Sequence, residues 1–209
     1  MVLNENYTLS NGVKIPKIGL GTWLIPDGEA AQAVRDAVAM GYRHIDTAQA
    51  YGNERGVGEG VRTCGVPREE IFVTSKVAAE HKTYESAAKS IDESLAKLGM
   101  DYIDLMIIHC PQPWAEFRSE RRYFTENKEV WRALEKAYKD GKVKAIGVSN
   151  FEPDQLRDLI AYNKVIPAVN QIETNLYYQR STERGWMDKK KVSHMAYAPL
   201  GQGSQGEMF

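Results

Sequence analysis

The sequence predicts an α/β protein built as a parallel (β/α)8 barrel, the TIM-barrel architecture, with a β-hairpin at its N-terminus. Short apolar or β-branched segments alternate with amphipathic ones along the chain, which is typical of repeated parallel βαβ units. That alternation alone does not separate a closed barrel from an open doubly wound sheet. Two further observations favour the barrel. The first strand ends in GLGTW, an incomplete GxGxxG, and seven successive strands end in a polar or aromatic residue.

Seven segments have the length and composition of buried strands. In chain order they read IPKIGLGTW, YRHIDT, EIFVTSKV, YIDLMIIHC, VKAIGVSN, PAVNQIETN and VSHMAYAPL. Their polar or aromatic residues at the carboxyl ends are Thr22, Asp46, Lys76, His109, Ser149 with Asn150, Gln171, and Tyr197. Because the carboxyl ends of barrel strands meet at one face, we expect these side chains to line one site.

Four helices are predicted between these strands. Their apolar residues recur at steps of three and four, as on the buried face of an amphipathic helix. Three of them end at a glycine, namely Gly41, Gly99 or Gly141, which suits a left-handed C-cap. The fourth begins at Pro153, a residue that is favoured in the first turn of a helix.

A small hairpin is predicted ahead of the first barrel strand. The segment YTLSNGVKIP places Asn11 and Gly12 between two short β-prone runs. Asn-Gly is a strong signal for a two-residue turn, because both positions tolerate positive φ. We therefore expect the chain to reverse at these two residues.

The bulk composition excludes several classes of protein. With 209 residues and no linker-like run, the chain is expected to form one domain, residues 1–209. A formal net charge of -1 gives no basic excess that would indicate nucleic acid or an anionic membrane as partner. The N-terminus has no signal-peptide pattern, and Cys64 and Cys110 lie outside any CxxC spacing. We therefore expect a cytoplasmic protein.

Four of the predicted site residues have complementary chemistry. A Lys76 ammonium beside Tyr51 would favour the phenolate form of the tyrosine, and Asp46 would keep the lysine charged and oriented. His109 could donate a hydrogen bond to a substrate oxygen. Together these groups place a proton donor beside a cationic pocket, which suits a carbonyl oxygen that gains negative charge and then a proton.

Each of these residues also has a plain structural interpretation when it is considered alone. An Asp at a strand end often caps the next helix, and a lone Lys is usually solvated. A His in an apolar strand, such as His109, is more often a core residue, and the same holds for Tyr197. The functional interpretation is favoured because the residues recur at one end of successive strands, so all the structural interpretations would have to hold together.

The sequence resembles the aldo-keto reductases. GYRHIDTAQAYGNERGVG looks like the first signature of that family and KVKAIGVSNF like the second. The segments TSK, IIHCP, VNQIE and AYAPLGQG follow in the family's order, so the resemblance covers essentially the whole chain. The run HCPQPWAEFRSERRYF and the short hairpin look most like bacterial members of the 2,5-diketo-gluconate reductase type.

This resemblance implies an NADPH-dependent oxidoreductase, with NADH as the alternative cofactor, that reduces small aldehydes or ketones as a monomer without a metal. Tyr51 would be the general acid, Lys76 held by Asp46 would ease proton transfer, and His109 would orient the carbonyl. The implied cofactor contacts are Thr22, Asp46, Ser149, Asn150, Gln171, Tyr197, Leu200, Gln202 and Ser204. The implied substrate contacts are Trp23, Tyr51, His109 and Trp114.

The chain departs from the family pattern at three places. Cys110 stands where a Trp is frequent, and Ala198 stands where many members have Ser. The sequence also stops at Phe209, before an eighth strand, the C-terminal helices and the segment that would grip the 2′-phosphate. We therefore expect an incomplete barrel that is part of a longer chain, or else a truncated chain that cannot fully hold its cofactor.

Two other functions are alternatives to carbonyl reduction. A metal-dependent hydrolase on a similar barrel could use His44 and Asp46, which point the same way from one strand, together with Lys76 and His109. The late strands, however, offer few further ligands. The third interpretation is a non-catalytic barrel that binds a nicotinamide cofactor as a regulatory or partner subunit. The presence of all four catalytic residue types argues against it.

Overall fold

A β-hairpin opens the chain in the computed structural model, which describes residues 2–201. Strands β1 (Asn6–Thr8) and β2 (Lys14–Pro16) pair antiparallel, so the predicted hairpin is confirmed. The predicted two-residue turn is wrong. The Leu9 N–H donates to the Val13 carbonyl over 2.8 Å, which leaves a three-residue loop in which Gly12 has φ of 87°. That loop type needs one residue with positive φ at its last position, and glycine supplies it.

Seven parallel strands follow, and each lies in one of the predicted segments. They are β3 (Leu20–Gly21), β4 (His44–Asp46), β5 (Phe72–Val77), β6 (Leu105–Ile108), β7 (Ile146–Ser149), β8 (Val169–Glu173) and β9 (Ser193–Tyr197). Their order in the sheet is their order in the chain, and every neighbouring pair is parallel, as in a barrel. Within the described part of the chain, β3 and β9 are the two edges of this nearly closed barrel.

Six α-helices connect or follow the strands between residues 2 and 201. They are α1 (Asp27–Ala39), α2 (Glu54–Thr63), α3 (Tyr84–Leu98), α4 (Phe124–Lys139), α5 (Pro153–Tyr162) and α6 (Ser181–Lys189). Four of them, α1, α3, α4 and α5, were predicted from the apolar pattern. Gly99 caps α3 in the left-handed conformation, as its position indicates. None of the helices between residues 2 and 201 is long and apolar enough to cross a bilayer.

The buried side chains form two clusters on opposite sides of the sheet. The larger one lies between the strands and the helices and includes Val34, Ile91 and Trp131. The smaller one lies inside the barrel, near the amino ends of the strands, where Leu9 and Ile15 of the hairpin pack with strand residues. The hairpin therefore closes the amino-terminal end of the barrel, which leaves the carboxyl ends of the strands for the polar side chains.

Helix α2 was not predicted, and its glycines explain both its packing and the failure to predict it. A methyl group on Gly56 would lie 2.1 Å from the Asp27 carbonyl oxygen, and one on Gly58 would lie 2.1 Å from the Leu98 carbonyl oxygen. Both neighbours are backbone atoms of the flanking helices α1 and α3. Glycine thus lets three helices approach closely, although the same residue weakens the sequence signal for a helix.

This packing predicts opposite effects for two Gly→Ala substitutions within helices. Gly58→Ala should lower the free energy of unfolding by roughly 2 to 3 kcal/mol, because the added methyl group meets the backbone of α3. Gly185→Ala in α6, where an added Cβ meets nothing within 4 Å, should raise it by about 0.5 to 1 kcal/mol. Urea unfolding followed by circular dichroism measures both. A Gly58→Ala variant as stable as the parent would contradict the close approach of α2 and α3.

Candidate active site

The four catalytic candidates lie at the carboxyl-terminal end of the barrel. Asp46 is the last residue of β4, Lys76 is the last but one of β5, and His109 follows β6 directly. Tyr51 ends a short 3-10 turn, Gln49–Tyr51, after β4. The structure therefore brings together the four side chains that the sequence analysis selected.

Lys76 is the centre of this group. Its side chain is 1% exposed, and its ammonium donates to the Asp46 carboxylate, to the Thr47 carbonyl over 2.9 Å and to the Tyr51 hydroxyl over 3.1 Å. A Lys ammonium has three N–H donors, and each of them has a partner here. Burial disfavours the charge, but Asp46 and Tyr51 outweigh this effect, so the pKa of Lys76 lies above its ordinary value.

Asp46 connects this lysine to the opposite side of the barrel. One of its oxygens accepts from Lys76, and the other accepts from the Gln171 amide in β8 over 2.7 Å. The same Gln171 nitrogen lies 2.8 Å from the Met195 sulfur. Both carboxylate oxygens are therefore satisfied inside the protein, which fixes the carboxylate and, through it, the ammonium.

Tyr51 is placed so that its own proton is available. Its hydroxyl oxygen accepts a hydrogen bond from Lys76, and within residues 2–201 no acceptor lies in reach of its O–H. The turn is held by Gln49, which sequence reasoning missed. The Gln49 amide donates to the Ser90 carbonyl and the Ser94 hydroxyl, each over 3.0 Å, and accepts from the Ala78 N–H over 2.7 Å. No local pattern indicates those partners, which lie about 30 to 45 residues away in sequence.

His109 is a neutral imidazole packed against Tyr51. Its ring lies edge-on to the Tyr51 ring, with the centroids 5.6 Å apart. Burial together with the Lys76 charge lowers the pKa of His109 to about 3, although Asp46 acts in the opposite direction. Its buried Nδ1 has no hydrogen-bond partner among the described residues. An unpaired buried polar atom beside the tyrosine is consistent with a ligand at this point.

The two tryptophans that were expected to wall the substrate pocket differ in their contacts. Trp114 lies edge-on to His109, with the ring centroids 5.1 Å apart, and its side chain is 41% exposed. Trp23 follows β3 and is 51% exposed. In the described structure, no hydrogen bond or ring contact joins Trp23 to the catalytic candidates. The structure therefore places Trp114, but not Trp23, in direct contact with one of them.

Most of the expected cofactor contacts form a hydrogen-bonded group beside the catalytic candidates. Asn150, with φ of 60°, donates to the His109 carbonyl over 3.0 Å and to the Ser149 hydroxyl over 3.1 Å. The Tyr197 hydroxyl donates to the Asn150 side-chain oxygen over 2.9 Å, and Ser149 donates to the Gln171 carbonyl over 2.8 Å. The side-chain oxygen of Gln171 has no partner in the described region and stays available to a ligand.

Of the four remaining expected cofactor contacts, the structure describes two, Thr22 and Leu200. Thr22 is buried after β3, and its hydroxyl donates to the Asp46 carbonyl over 3.1 Å. Leu200 is exposed just after β9. Gln202 and Ser204 lie outside the described residues.

His44, a ligand in the alternative metal-site hypothesis, contacts Thr74 and Phe72 in the structure. Its Nε2 lies 2.9 Å from the Thr74 hydroxyl, and its ring lies edge-on to Phe72. Burial lowers the pKa of His44 to about 4. Across residues 2–201, no group of three or more His, Cys, Asp or Glu side chains is arranged to hold a metal ion.

The family of the chain follows from its similarity to known proteins. The sequence profile described as "Aldo/keto reductase family" matches residues 17–207, which is most of the chain. The chain belongs to the aldo/keto reductase family. Membership of this family is consistent with carbonyl reduction dependent on NAD(P)H and favours neither the metal-dependent hydrolase nor the non-catalytic barrel.

Two curated relatives illustrate the similarity in sequence. The aldo/keto reductase chain is 44% identical to the 9,11-endoperoxide prostaglandin H2 reductase of Trypanosoma cruzi over 207 residues, which are 97% of the chain and 69% of that relative. It is 42% identical to the glyoxal reductase of Bacillus subtilis over 202 residues, which are 96% of the chain and 69% of that relative. The match thus spans about two thirds of each relative's length.

Two solved structures illustrate the similarity in fold. An aldo/keto reductase from Brucella melitensis superposes with a TM-score of 0.89 at 40% identity, covering 97% of this chain and 76% of that one. An aldo-keto reductase of Bombyx mori in complex with NADP superposes with a TM-score of 0.82 at 33% identity, covering 93% and 66%. These matches confirm the predicted barrel.

The buried His44 predicts a dependence of stability on pH. Its pKa in the folded state is about 4, below the ordinary value of 6.5, so only the unfolded chain takes up a proton as the pH falls between these values. The contribution of His44 is therefore complete above about pH 6.5 and is lost on acidification, by roughly 2 kcal/mol at about pH 5.

Urea unfolding across this pH range tests the assignment. His44→Gln keeps an amide that can reach Thr74 but cannot titrate, so it should reduce the fall in stability by the share of His44, while His109, with a pKa of about 3, still contributes. His81→Gln, in a partly exposed loop, is the matched control for loss of an imidazole. A His44→Gln variant with the parent's slope would show that the folded state does not hold this histidine neutral.

Proposed function

We propose that this protein is an NADPH-dependent reductase of small carbonyl compounds in which Tyr51 is the general acid. One observation carries the proposal. The Tyr51 hydroxyl accepts a hydrogen bond from a buried, charged Lys76, and its own proton has no acceptor within the described residues. A phenol in that arrangement presents its proton to whatever oxygen enters the pocket.

The proposed reduction adds a hydride and a proton to the carbonyl group, and Tyr51 supplies the proton. A reduced nicotinamide, when bound, supplies the hydride that the carbonyl carbon accepts. The C=O π bond breaks, and the carbonyl oxygen takes the proton of Tyr51 and becomes a hydroxyl group. The tyrosinate that remains is stabilised by the hydrogen bond from Lys76, 3.1 Å away in the resting state.

Asp46 and Gln171 would act through Lys76. Asp46 keeps the ammonium protonated in a buried site, and the bond from Gln171 holds the carboxylate in place. Without Asp46, the lysine would carry an uncompensated buried charge and would tend to lose its proton. The pair would therefore maintain a positive charge beside Tyr51 throughout the reaction.

His109 would orient the carbonyl rather than protonate it. Its pKa of about 3 keeps the imidazole neutral near neutral pH, so one ring nitrogen carries a proton and can donate a hydrogen bond to the carbonyl oxygen. The edge-on contact between the His109 and Tyr51 rings supports the proposal that both donors reach the same substrate oxygen. Two donors on one oxygen would favour charge developing there.

The residues present fit a nicotinamide cofactor. Gln171 has an available amide oxygen, and Ser149 and Asn150 lie next to it, so these three would hold the carboxamide. Tyr197 would pack against the ring, Thr22 and Asp46 would contact the ribose, and Leu200 would lie along the diphosphate. The NADP complex of the Bombyx mori relative supports NADPH over NADH as the preferred cofactor.

The substrates proposed are small aldehydes, ketones and dicarbonyl compounds. The Bacillus subtilis relative is named a glyoxal reductase, which supports a short dicarbonyl as the first compound to assay. Trp114 beside His109 would form one wall of the pocket, and Trp23 would form another. A half-exposed tryptophan wall suits a permissive site of this kind.

We further propose that residues 1–209 belong to one barrel domain and that the enzyme acts as a monomer in the cytoplasm. Cys64 and Cys110 are both free thiols, which supports a reducing compartment. The overall charge of -1 supports a small molecule, rather than a nucleic acid, as partner. Sedimentation equilibrium of the purified chain tests the monomer, since a dimer would give twice the 23.6 kDa mass.

The general-acid assignment predicts a selective loss in Tyr51→Phe. Turnover of methylglyoxal, followed by the loss of NADPH absorbance, should fall at least ~10²-fold, because the proton donor is gone. The dissociation constant for NADPH, from quenching of tryptophan fluorescence, should stay within about twofold, because the ring remains in place.

Tyr7→Phe is the matched control, because Tyr7 is an exposed phenol on the hairpin and should affect neither quantity. Parent-like turnover in Tyr51→Phe would disprove the general-acid role. Binding of NADPH to the parent without turnover of any aldehyde or ketone would favour the non-catalytic barrel instead.

A further inference from the structure

The segment between β6 and α4, residues 110–123, carries the wall of the pocket and has little regular structure of its own. It contains one short 3-10 turn, Trp114–Glu116, and is called the β6–α4 loop below. Trp114 packs against His109, and Phe117 packs edge-on against Trp114 with the ring centroids 5.6 Å apart. A row of three rings therefore leads from the catalytic candidate out along the loop.

A single buried side chain, Gln112, ties this loop together from within. Its side-chain nitrogen donates to the Ser119 carbonyl over 2.9 Å, to the Ser119 hydroxyl over 3.2 Å and to the Arg121 carbonyl over 2.8 Å. Its side-chain oxygen accepts from the Arg118 N–H over 3.1 Å. Gln112 is 2% exposed, so these contacts are shielded from water and costly to lose.

Gln112 and its hydrogen-bond partners lie on either side of Trp114 and Phe117 in the sequence. The side chain starts three residues after His109, and its partners lie at residues 118–121, just beyond Phe117. Trp114 and Phe117 are therefore the residues enclosed by the closed loop. Loss of the Gln112 bonds would release the far side of the loop and with it the rings that face the pocket.

The near side of the loop has a separate anchor. The Lys82 ammonium, from the β5–α3 connection, donates to the Cys110 and Pro111 carbonyls over 3.1 Å each and to the Asn127 side-chain oxygen over 3.3 Å. Burial lowers the pKa of Lys82 to about 8, although Cys110, Glu80 and Glu126 act in the opposite direction. Because Lys82 holds the start of the loop, removal of Gln112 should loosen only residues 113–121.

We propose that Gln112 is a positioning residue that sets carbonyl specificity by holding Trp114 and Phe117 as a preformed wall beside His109. The proposal rests on the proposed carbonyl reduction. A large substrate gains binding energy from a wall that is already ordered, whereas a short dicarbonyl reaches only His109 and Tyr51. Gln112 touches neither substrate nor cofactor in this scheme and acts through the rings.

The test compares two substrates in Gln112→Met, which keeps the length of the side chain but not its hydrogen bonds. The KM for a bulky aromatic aldehyde should rise about tenfold, while the KM for methylglyoxal and the kcat for both should change by less than about threefold. Gln32→Met is the matched control, because Gln32 is an exposed glutamine on α1 whose amide bonds Asp36. It should leave every value unchanged.

A second readout does not depend on turnover. Hydrogen exchange should accelerate at the backbone amides of residues 114–121 in Gln112→Met and stay unchanged elsewhere, because the Arg118 N–H loses its acceptor. Phe117→Ala, which removes a ring but none of the Gln112 bonds, should reproduce the tenfold rise in KM for the aromatic aldehyde. This variant keeps the proposal testable if Gln112→Met does not fold.

The outcomes separate the two proposals. If the parent reduces no carbonyl compound, the proposed reduction fails, and the role in specificity fails with it. If the parent is active but Gln112→Met treats both substrates as the parent does, or equal changes in KM appear for both, only the positioning role of Gln112 is overturned. Unchanged exchange in residues 114–121 overturns it as well.

Discussion

The buried charge of Lys76 is the constraint on which the rest of the site depends. An ammonium this deeply buried is tolerated only if every N–H has an acceptor and a counter-charge lies close by. Asp46 meets the second condition and, through Gln171, links β4 to β8 on the far side of the sheet. The need to neutralise one lysine therefore determines how three strands are positioned at the carboxyl-terminal face of the barrel.

The charge of Lys76 also influences the protonation state of the neighbouring His109. Lys76 holds a positive charge at the bottom of the site, and this charge, with burial, keeps His109 neutral. A neutral imidazole and a phenol that accepts from an ammonium can both donate to one oxygen without carrying charge themselves. This arrangement, with adjacent groups kept in different protonation states by one environment, is typical of sites that move a proton near neutral pH.

The strands and the four catalytic candidates could be predicted because their signals are local. Each strand is a short apolar run, Asp46, Lys76 and His109 lie at the carboxyl ends of their strands, and Tyr51 follows Asp46 by five residues, in the turn after β4. Helix α2 escaped prediction because its three glycines serve the packing of its neighbours, and α6 escaped because Met187 is its only buried residue. The roles of Gln49 and Gln112 were also missed, since their partners lie 6 to 45 residues away and reach the amide only in the folded chain.

The hairpin at the start of the chain has a consequence for the order of assembly. Leu9 and Ile15 pack against Phe72, Leu105 and Ala168, and the Asn11 side chain donates to the Lys144 carbonyl over 3.0 Å. Leu9 and Ile15 are therefore synthesised before the strands against which they pack, and Ala168, the last of these three partners, follows only after β3 to β7 have been made. Contacts of such long sequence separation slow folding, so the nascent hairpin remains exposed until the barrel has nearly formed.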